Sequence, residues 1–417
     1  MGFILPLVSG SPTNEAFEFP KTYFIYIVGG ALIAIFFVQL FASERPLPKI
    51  PLYIQLYLLS FIVSTAFSMH LYTSLWGYYT RFNGGLISIA IYFGIYLVAK
   101  TKLSKGDFAN LFKVLVFSIV PVSILGILDH STVVRVTSTF GQPNWLAQYL
   151  GIFLIYANLL FFEDSFAPVW FVISIIGFTC LWYTYSLSGI LGFMTGFLVL
   201  TVLFKGTIFK DKANILKLTL LVTFYLGIAL LNLGVFKLRM VDVTNDIKRI
   251  SLLSPVSYAA ETTVVEQDTP TQRNLSDPGF IRSGMWLGTL KLIFSSPKIA
   301  LIGAGPETFP YAFQKFRPAE LNYSSEWNFV LNKPHNYFLE VPSQQGLFGL
   351  AIYLYLYWRL LKGLEKKYKA GFIVFAVTNF FGWPTASTTL LFWLLLASLE
   401  MRDPVENNYD KNINKIN

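Results

Sequence analysis

His335 is the side chain best suited to moving a proton near neutral pH. It lies in the run Lys333-Pro334-His335-Asn336-Tyr337, just ahead of an apolar block. The other two histidines, His70 and His130, also fall next to apolar blocks. A lone histidine at such a boundary is more often structural than catalytic, so its neighbours decide how it is read. Arg81, Arg135 and Arg282 stand apart from the other basic residues. Guanidinium groups pair phosphates bidentately, and several together stabilise a diphosphate without a metal. The alternative is that each anchors a lipid phosphate. The three histidines lack the paired spacing of a zinc site. There is no close Asp-x-Asp pair, P-loop, Gly-x-Ser-x-Gly or His-Glu-x-x-His motif, and Asp242 and Asp246 are too loosely spaced to hold a cation. No metal and no cofactor are therefore expected. Thr139-Phe140-Gly141-Gln142-Pro143-Asn144-Trp145 reads by itself as a turn followed by an interfacial tryptophan.

The elements that must position these residues are apolar. Of 417 residues 54% are hydrophobic and 13% charged, with a mean hydropathy of +0.55, where soluble domains carry about 25% charged residues. This excludes disorder and points to an all-α integral membrane protein. Apolar blocks near the length that crosses a hydrocarbon core run at 22–41, 50–69, 84–99, 111–128, 145–162, 167–185, 187–204 and 218–236. After an interruption they resume at 346–361, 370–383 and 386–399. The expected total is eleven spans, and Phe3 to Val8 is the stub of a twelfth if apolar residues precede Met1. The last two blocks are short and separated by Pro384, which also fits a re-entrant hairpin or one broken helix. Residues 1–417 form a single polytopic domain on this reading, and 237–345 is a long external loop within it. Met1 to Gly10 lacks the basic start and the length of a cleavable signal.

Charge gives the orientation. The net charge of +9 does not indicate nucleic acid, because the basic residues fall in short loops between apolar blocks, as the positive-inside rule expects. With the long loop left out, alternate loops hold eighteen basic residues, from Arg45, Lys49 and Lys100 through Lys369 and Arg402 to Lys411 and Lys415, against three: Lys21, Arg81 and Arg135. The larger set faces the cytoplasm, so the N-terminus, Arg81, Arg135 and the long loop face outside. The single cysteine, Cys180, lies in an apolar block, so neither an intramolecular disulfide nor a thiolate metal cage can form.

A loop of this length is usually functional. Asp277-Pro278 predicts an N-cap and first helical position, with helix to Phe294 and a stop before Pro297. Arg282 and Trp286 share one face of that helix, and Ile281, Met285, Gly288 and Leu292 share another, as expected of an interfacial amphipathic helix. A glycine turn follows at Gly303-Ala304-Gly305-Pro306-Glu307. Pro334 suits the start of a further helix, on which Asn336 and Glu340 share a face.

In order and spacing these motifs resemble the O-antigen ligase and O-antigen polymerase superfamily. The match runs through Arg282-Ser-Gly-Met-Trp286, Pro297, Gly303-Ala-Gly305-Pro-Glu-Thr-Phe309, Pro334-His335-Asn336, Glu340 and Gln345-Gly346-Leu-Phe-Gly349. Phe140-Gly-Gln-Pro-Asn-Trp145 and Arg81-Phe-Asn-Gly-Gly85 resemble two more of its motifs, so the likeness covers about residues 70 to 400. It implies an inverting, metal-independent glycosyltransferase in the bacterial cytoplasmic (inner) membrane, with its active site facing the periplasm. The donor would be a glycan on undecaprenyl diphosphate. The acceptor would be a hydroxyl of lipid A-core, of another lipid-linked glycan, or of a protein, as in the O-oligosaccharyltransferases. By the same analogy His335 is the base and Arg282 holds the diphosphate, while Arg81, Arg135, Asn144, Asn336 and Glu340 bind substrate or orient His335. One departure stands out: the family's Ser-Arg pair at the outer start of the seventh span is Tyr185-Ser186-Leu187-Ser188-Gly189 here, without arginine. Arg81 or Arg135 is expected to supply that charge. A transporter or flippase for lipid-linked glycans would share the span number and aromatic content, but commonly shows related halves and charges at mid-membrane. Neither is clear in this chain.

Overall fold

The computed structural model describes residues 1–10, 15–44, 46–165, 167–234, 236–237, 240, 278–323 and 326–402. Among them the chain is helical without strands. The order is α1 Glu18–Ala42, α2 Leu52–Ala66, α3 Leu71–Trp76, α4 Leu86–Lys102, α5 Lys105–Asp129, α6 Pro143–Glu163, α7 Ala167–Tyr183, α8 Leu187–Leu203, α9 Lys212–Leu231, α10 Pro278–Ile293, α11 Pro297–Ile302, α12 Tyr337–Gly363, α13 Lys366–Phe380 and α14 Ala386–Ser398. Each of the eleven apolar blocks coincides with one of these helices. Four of the helices, α1, α5, α6 and α9, are both long and apolar enough to cross a membrane. Pro384 falls in the turn between two separate helices, α13 and α14, so the last two blocks are not one broken helix.

The bundle is organised around α6. Every residue of it from Trp145 to Phe162 is buried, as expected of a helix that is apolar on all sides, and it packs against α7, α8 and α13. Polar residues within it bond across helices. Gln148 donates to Thr378 Oγ1 at 2.9 Å and Asn379 Oδ1 at 2.8 Å and accepts from Thr388, while Asn158 accepts from Tyr225 at 2.7 Å. These bonds tie α6 to α9, α13 and α14 in a medium where an unpaired polar group costs several kcal/mol. On α8, a Cβ at Gly192 would strike the Thr378 methyl and one at Gly196 a Val374 methyl, both on α13, the small-xxx-small contact of membrane helices.

A smaller apolar core sits outside the bundle. Ile281, Met285 and Leu292 of α10 pack with Phe309, Phe313, Leu321 and Leu331, and a Cβ on Gly288 would meet Phe313 and Phe316. The apolar face expected to lie on lipid therefore rests on protein. Asp277, the expected N-cap, lies outside the described residues. The helix expected to begin at Pro334 starts at Tyr337, because the Asn336 side chain caps it, accepting from Phe338 N at 2.9 Å and Leu339 N at 3.3 Å.

α12 is two helices joined at Gly346, whose φ of 70° and ψ of −178° are not helical. The break frees the carbonyls of Ser343 and Gln344, and these accept from the backbone N–H groups of Ala304 at 3.0 Å and Gly305 at 3.0 Å. Gly303 lies directly against the Gln344 backbone, and Gly346 against Leu301. The glycine turn after α11 is thus backbone docked into a broken helix. From there it places Glu307 at one end of a buried polar cluster.

Candidate active site

Four segments converge. The 81–85 loop supplies Arg81, the start of α6 supplies Asn144 and Trp145, the approach to α12 supplies Lys333 and His335, and the α13–α14 turn supplies Trp383. The Arg81 guanidinium lies over two indoles, 5.0 Å from the Trp145 ring and 5.6 Å from Trp383. His335 meets Trp383 edge to face at 5.0 Å. His335 also lines a narrow pocket with Gln142, Asn144, Trp145, Gln148, Ser188 and Trp383. Its backbone is left-handed, at φ 54°, a conformation that non-glycine residues hold where the surroundings force it.

His335 is half-buried, and its imidazole is pushed down to about 3, by burial first and then by the positive charges of Arg282 and Arg81. The ring is neutral at physiological pH, with a lone pair able to accept a proton. Arg282, on α10, also acts on Glu326, where burial raises the carboxyl above its ordinary range and Arg282 and Arg317 pull it back. Two guanidinium groups on separate elements therefore bear on one histidine. Trp286, on the Arg282 face of α10, meets Phe380 at 5.7 Å, fixing α10 against the end of α13.

Arg135 enters from the other side. Its Nε donates to Thr184 O at 2.9 Å and its Nη2 reaches Asn144 Oδ1 at 3.4 Å; Asn144 also accepts from Ser186 at 2.7 Å. The guanidinium thus sits at the start of α8, beside the 185–189 run that lacks the arginine expected from the resemblance. Asn336 and Glu340 take partners other than His335. Asn336 is the cap of α12, and Glu340 joins Lys333 and Glu307 in an ion-pair triad, with both N···O distances 2.5 Å and Gln344 donating to Glu340 at 3.1 Å. Burial alone would lower the Lys333 ammonium, but the two carboxylates outweigh it and hold it above its ordinary range.

The remaining candidates lie apart. His70 caps α3 through Thr73 and meets Tyr311, and His130 stacks on Tyr183 at 3.9 Å. Among the described residues no three His, Cys, Asp or Glu side chains are grouped to hold a metal. Lys21, counted with the outer charges, is a buried tether that donates to Thr139 O at 2.5 Å. Trp383, Glu307 and Lys333 belong to the site although none was singled out from the sequence. Glu307 and Lys333 stood inside quoted motifs, but nothing in their spacing said that they pair.

No curated protein matches the chain. Residues 172–354, which run from within α7 past the Gly346 break and include Arg282, the glycine turn and His335, match the profile of the O-antigen ligase family, and this match supports the O-antigen ligase and polymerase superfamily.

Proposed function

We propose that the protein is an inverting glycosyltransferase that moves a glycan from undecaprenyl diphosphate to an acceptor hydroxyl at the outer face of the bacterial cytoplasmic membrane. In this reading the chain is a single polytopic domain of eleven spans, with the loop from α9 to α12 outside. The observation that carries it is His335, held neutral in a pocket on which two guanidinium groups bear.

The acceptor hydroxyl attacks the anomeric carbon from the face opposite the diphosphate. Its proton passes to a His335 ring nitrogen, the new C–O bond forms, and the bond to the diphosphate oxygen breaks with its electron pair leaving on the diphosphate. Arg282, with Arg81, stabilises that charge, as preorganised donors do best in a site closed to water. An imidazole near 3 is a weak base, so the bound donor has a second task. Its phosphates offset the two positive charges that depress His335 and bring the ring closer to the range where base catalysis is efficient. Arg135 supplies the charge missing from the 185–189 run, an assignment supported by its bonds to Thr184 and Asn144. Arg282 as a residue of α10 and Asn144 as a lining residue of the His335 pocket complete the donor side.

The test is transfer by purified protein from a labelled undecaprenyl-diphosphate glycan to a panel of lipid A-core, glycan and peptide acceptors, with chelator present. Wild type should yield product and His335→Ala should yield product far more slowly. Product undiminished in His335→Ala would remove the base. Failure of wild type with every acceptor, alongside translocation of the labelled glycan in vesicles, would replace transfer with transport.

A further inference from the structure

A second cavity shares Trp383 in its lining with the His335 pocket. It encloses about 630 Å³ including its mouth, and its lining includes Glu18, Arg81, Asn83, Glu340, Gln344 and Trp383. Glu307 and Lys333 also line it. Three buried polar atoms on these residues have no hydrogen-bond partner among the described residues: Glu18 Oε1, Arg81 Nε and Glu340 Oε2. The two glutamates are each only 2% exposed. Orphaned buried atoms of this kind are costly unless something absent from the polypeptide meets them.

The charges say what that something is. Glu18, Glu307 and Glu340 are opposed by Arg81 and Lys333 on the lining, and by Lys21, which acts on Glu18 from behind. Three negative and three positive groups leave no net charge to draw a cation or a phosphate. They leave strong acceptors and donors at close quarters, with an indole and the Tyr337 ring beside them. A neutral molecule that donates and accepts with many hydroxyls, and has an apolar face to lay on an aromatic ring, fits both features.

We infer that this cavity is a subsite for a neutral pyranose ring of the acceptor glycan, held by Glu18, Asn83, Glu340 and Gln344 and bounded by Trp383. The inference rests on the transferase reading for the word acceptor. With its carboxylates offsetting its cations the cavity offers the donor diphosphate no net positive charge, and Arg81, at its border, is left to face the donor; an acceptor sugar here needs only to present one hydroxyl toward His335 beside Trp383.

The experiment measures binding without donor. Protein in nanodiscs is mixed with the methyl glycosides of glucose, galactose and N-acetylglucosamine, and saturation transfer to their ring protons is read by NMR, with glucose 6-phosphate and calcium chloride as controls. At least one neutral glycoside should give a signal, reduced tenfold or more in Asn83→Ala and Glu340→Gln, each checked for an unchanged elution profile. Equal signals in both variants, a stronger signal from the phosphorylated sugar, displacement by calcium, or no glycoside signal would each overturn the subsite. The two readings fail separately. Glycoside binding without transfer to any acceptor refutes the transferase and keeps the sugar site, while transfer with an unchanged acceptor KM in Asn83→Ala refutes the sugar site and keeps the transferase.

Discussion

At His335 burial and two positive neighbours act in the same direction, and the sign of their effect on stability can be worked out. The folded chain refuses a proton that the unfolded chain binds at the ordinary histidine value of 6.5. The contribution of this residue is therefore full above that value and is lost as the pH falls from there toward about 3. We expect the melting temperature of wild type to fall more steeply than that of His335→Gln as the pH is lowered through this window; parallel curves would show that the ring is not held neutral by the fold. In the transfer assay His335→Ala should lose about 100-fold to 10,000-fold in kcat, the range for removal of a general base. Arg81 offers a sharper comparison. Its planar group lies over Trp145 and Trp383, so Arg81→Lys should behave like Arg81→Ala in its use of donor, since an ammonium keeps the charge but neither stacks nor forks. Recovery by lysine would reduce Arg81 to a point charge.

At the scale of elements, the meeting of α11 with α12 holds the site together. A methyl at Gly303 would enter the Gln344 peptide, and the φ of 79° there disfavours any side chain. Gly303→Ala is expected to destabilise the protein by at least about 1–3 kcal/mol, seen as a lower melting temperature and loss of the folded fraction on extraction. Lys333→Met should cost about 3–5 kcal/mol, because it leaves two buried carboxylates facing one another. Much of this scale could be read from the chain. Pro278 and Pro297 mark the first positions of α10 and α11, and the apolar blocks fall on helices because both follow from local propensity and length. The docking of Gly303–Gly305 into the break at Gly346 could not be read. Two glycine motifs some forty residues apart carry no sign that one supplies donors to the other's freed carbonyls. The same holds for Asn336, whose spacing from Glu340 suggested a shared task and whose side chain is a helix cap.

For the whole molecule the open quantity is orientation. Ser131 and Ser43 are exposed on loops at opposite ends of the apolar helices, and the native Cys180 is buried, so single cysteines at these serines can be labelled over a silent background. Ser131→Cys should react with a membrane-impermeant maleimide added to whole cells. Ser43→Cys should react only after permeabilisation, and the opposite pattern would put the site in the cytoplasm. The charge distribution that predicts this was legible in the loops, apart from Lys21, a buried tether indistinguishable in sequence from a loop charge. Trp383 was the least legible residue of the site, since an aromatic beside a proline at the end of a short apolar block is ordinary in a membrane protein. Yet it is the wall common to both cavities and touches His335 and Arg81. That position makes it an optical reporter built into the chain. Protonation of a neighbouring imidazole quenches indole emission, and a ligand on either face changes its polarity. The fluorescence lost in Trp383→Phe should therefore isolate, from the other eight tryptophans, a signal that follows occupancy and proton transfer in real time without a label.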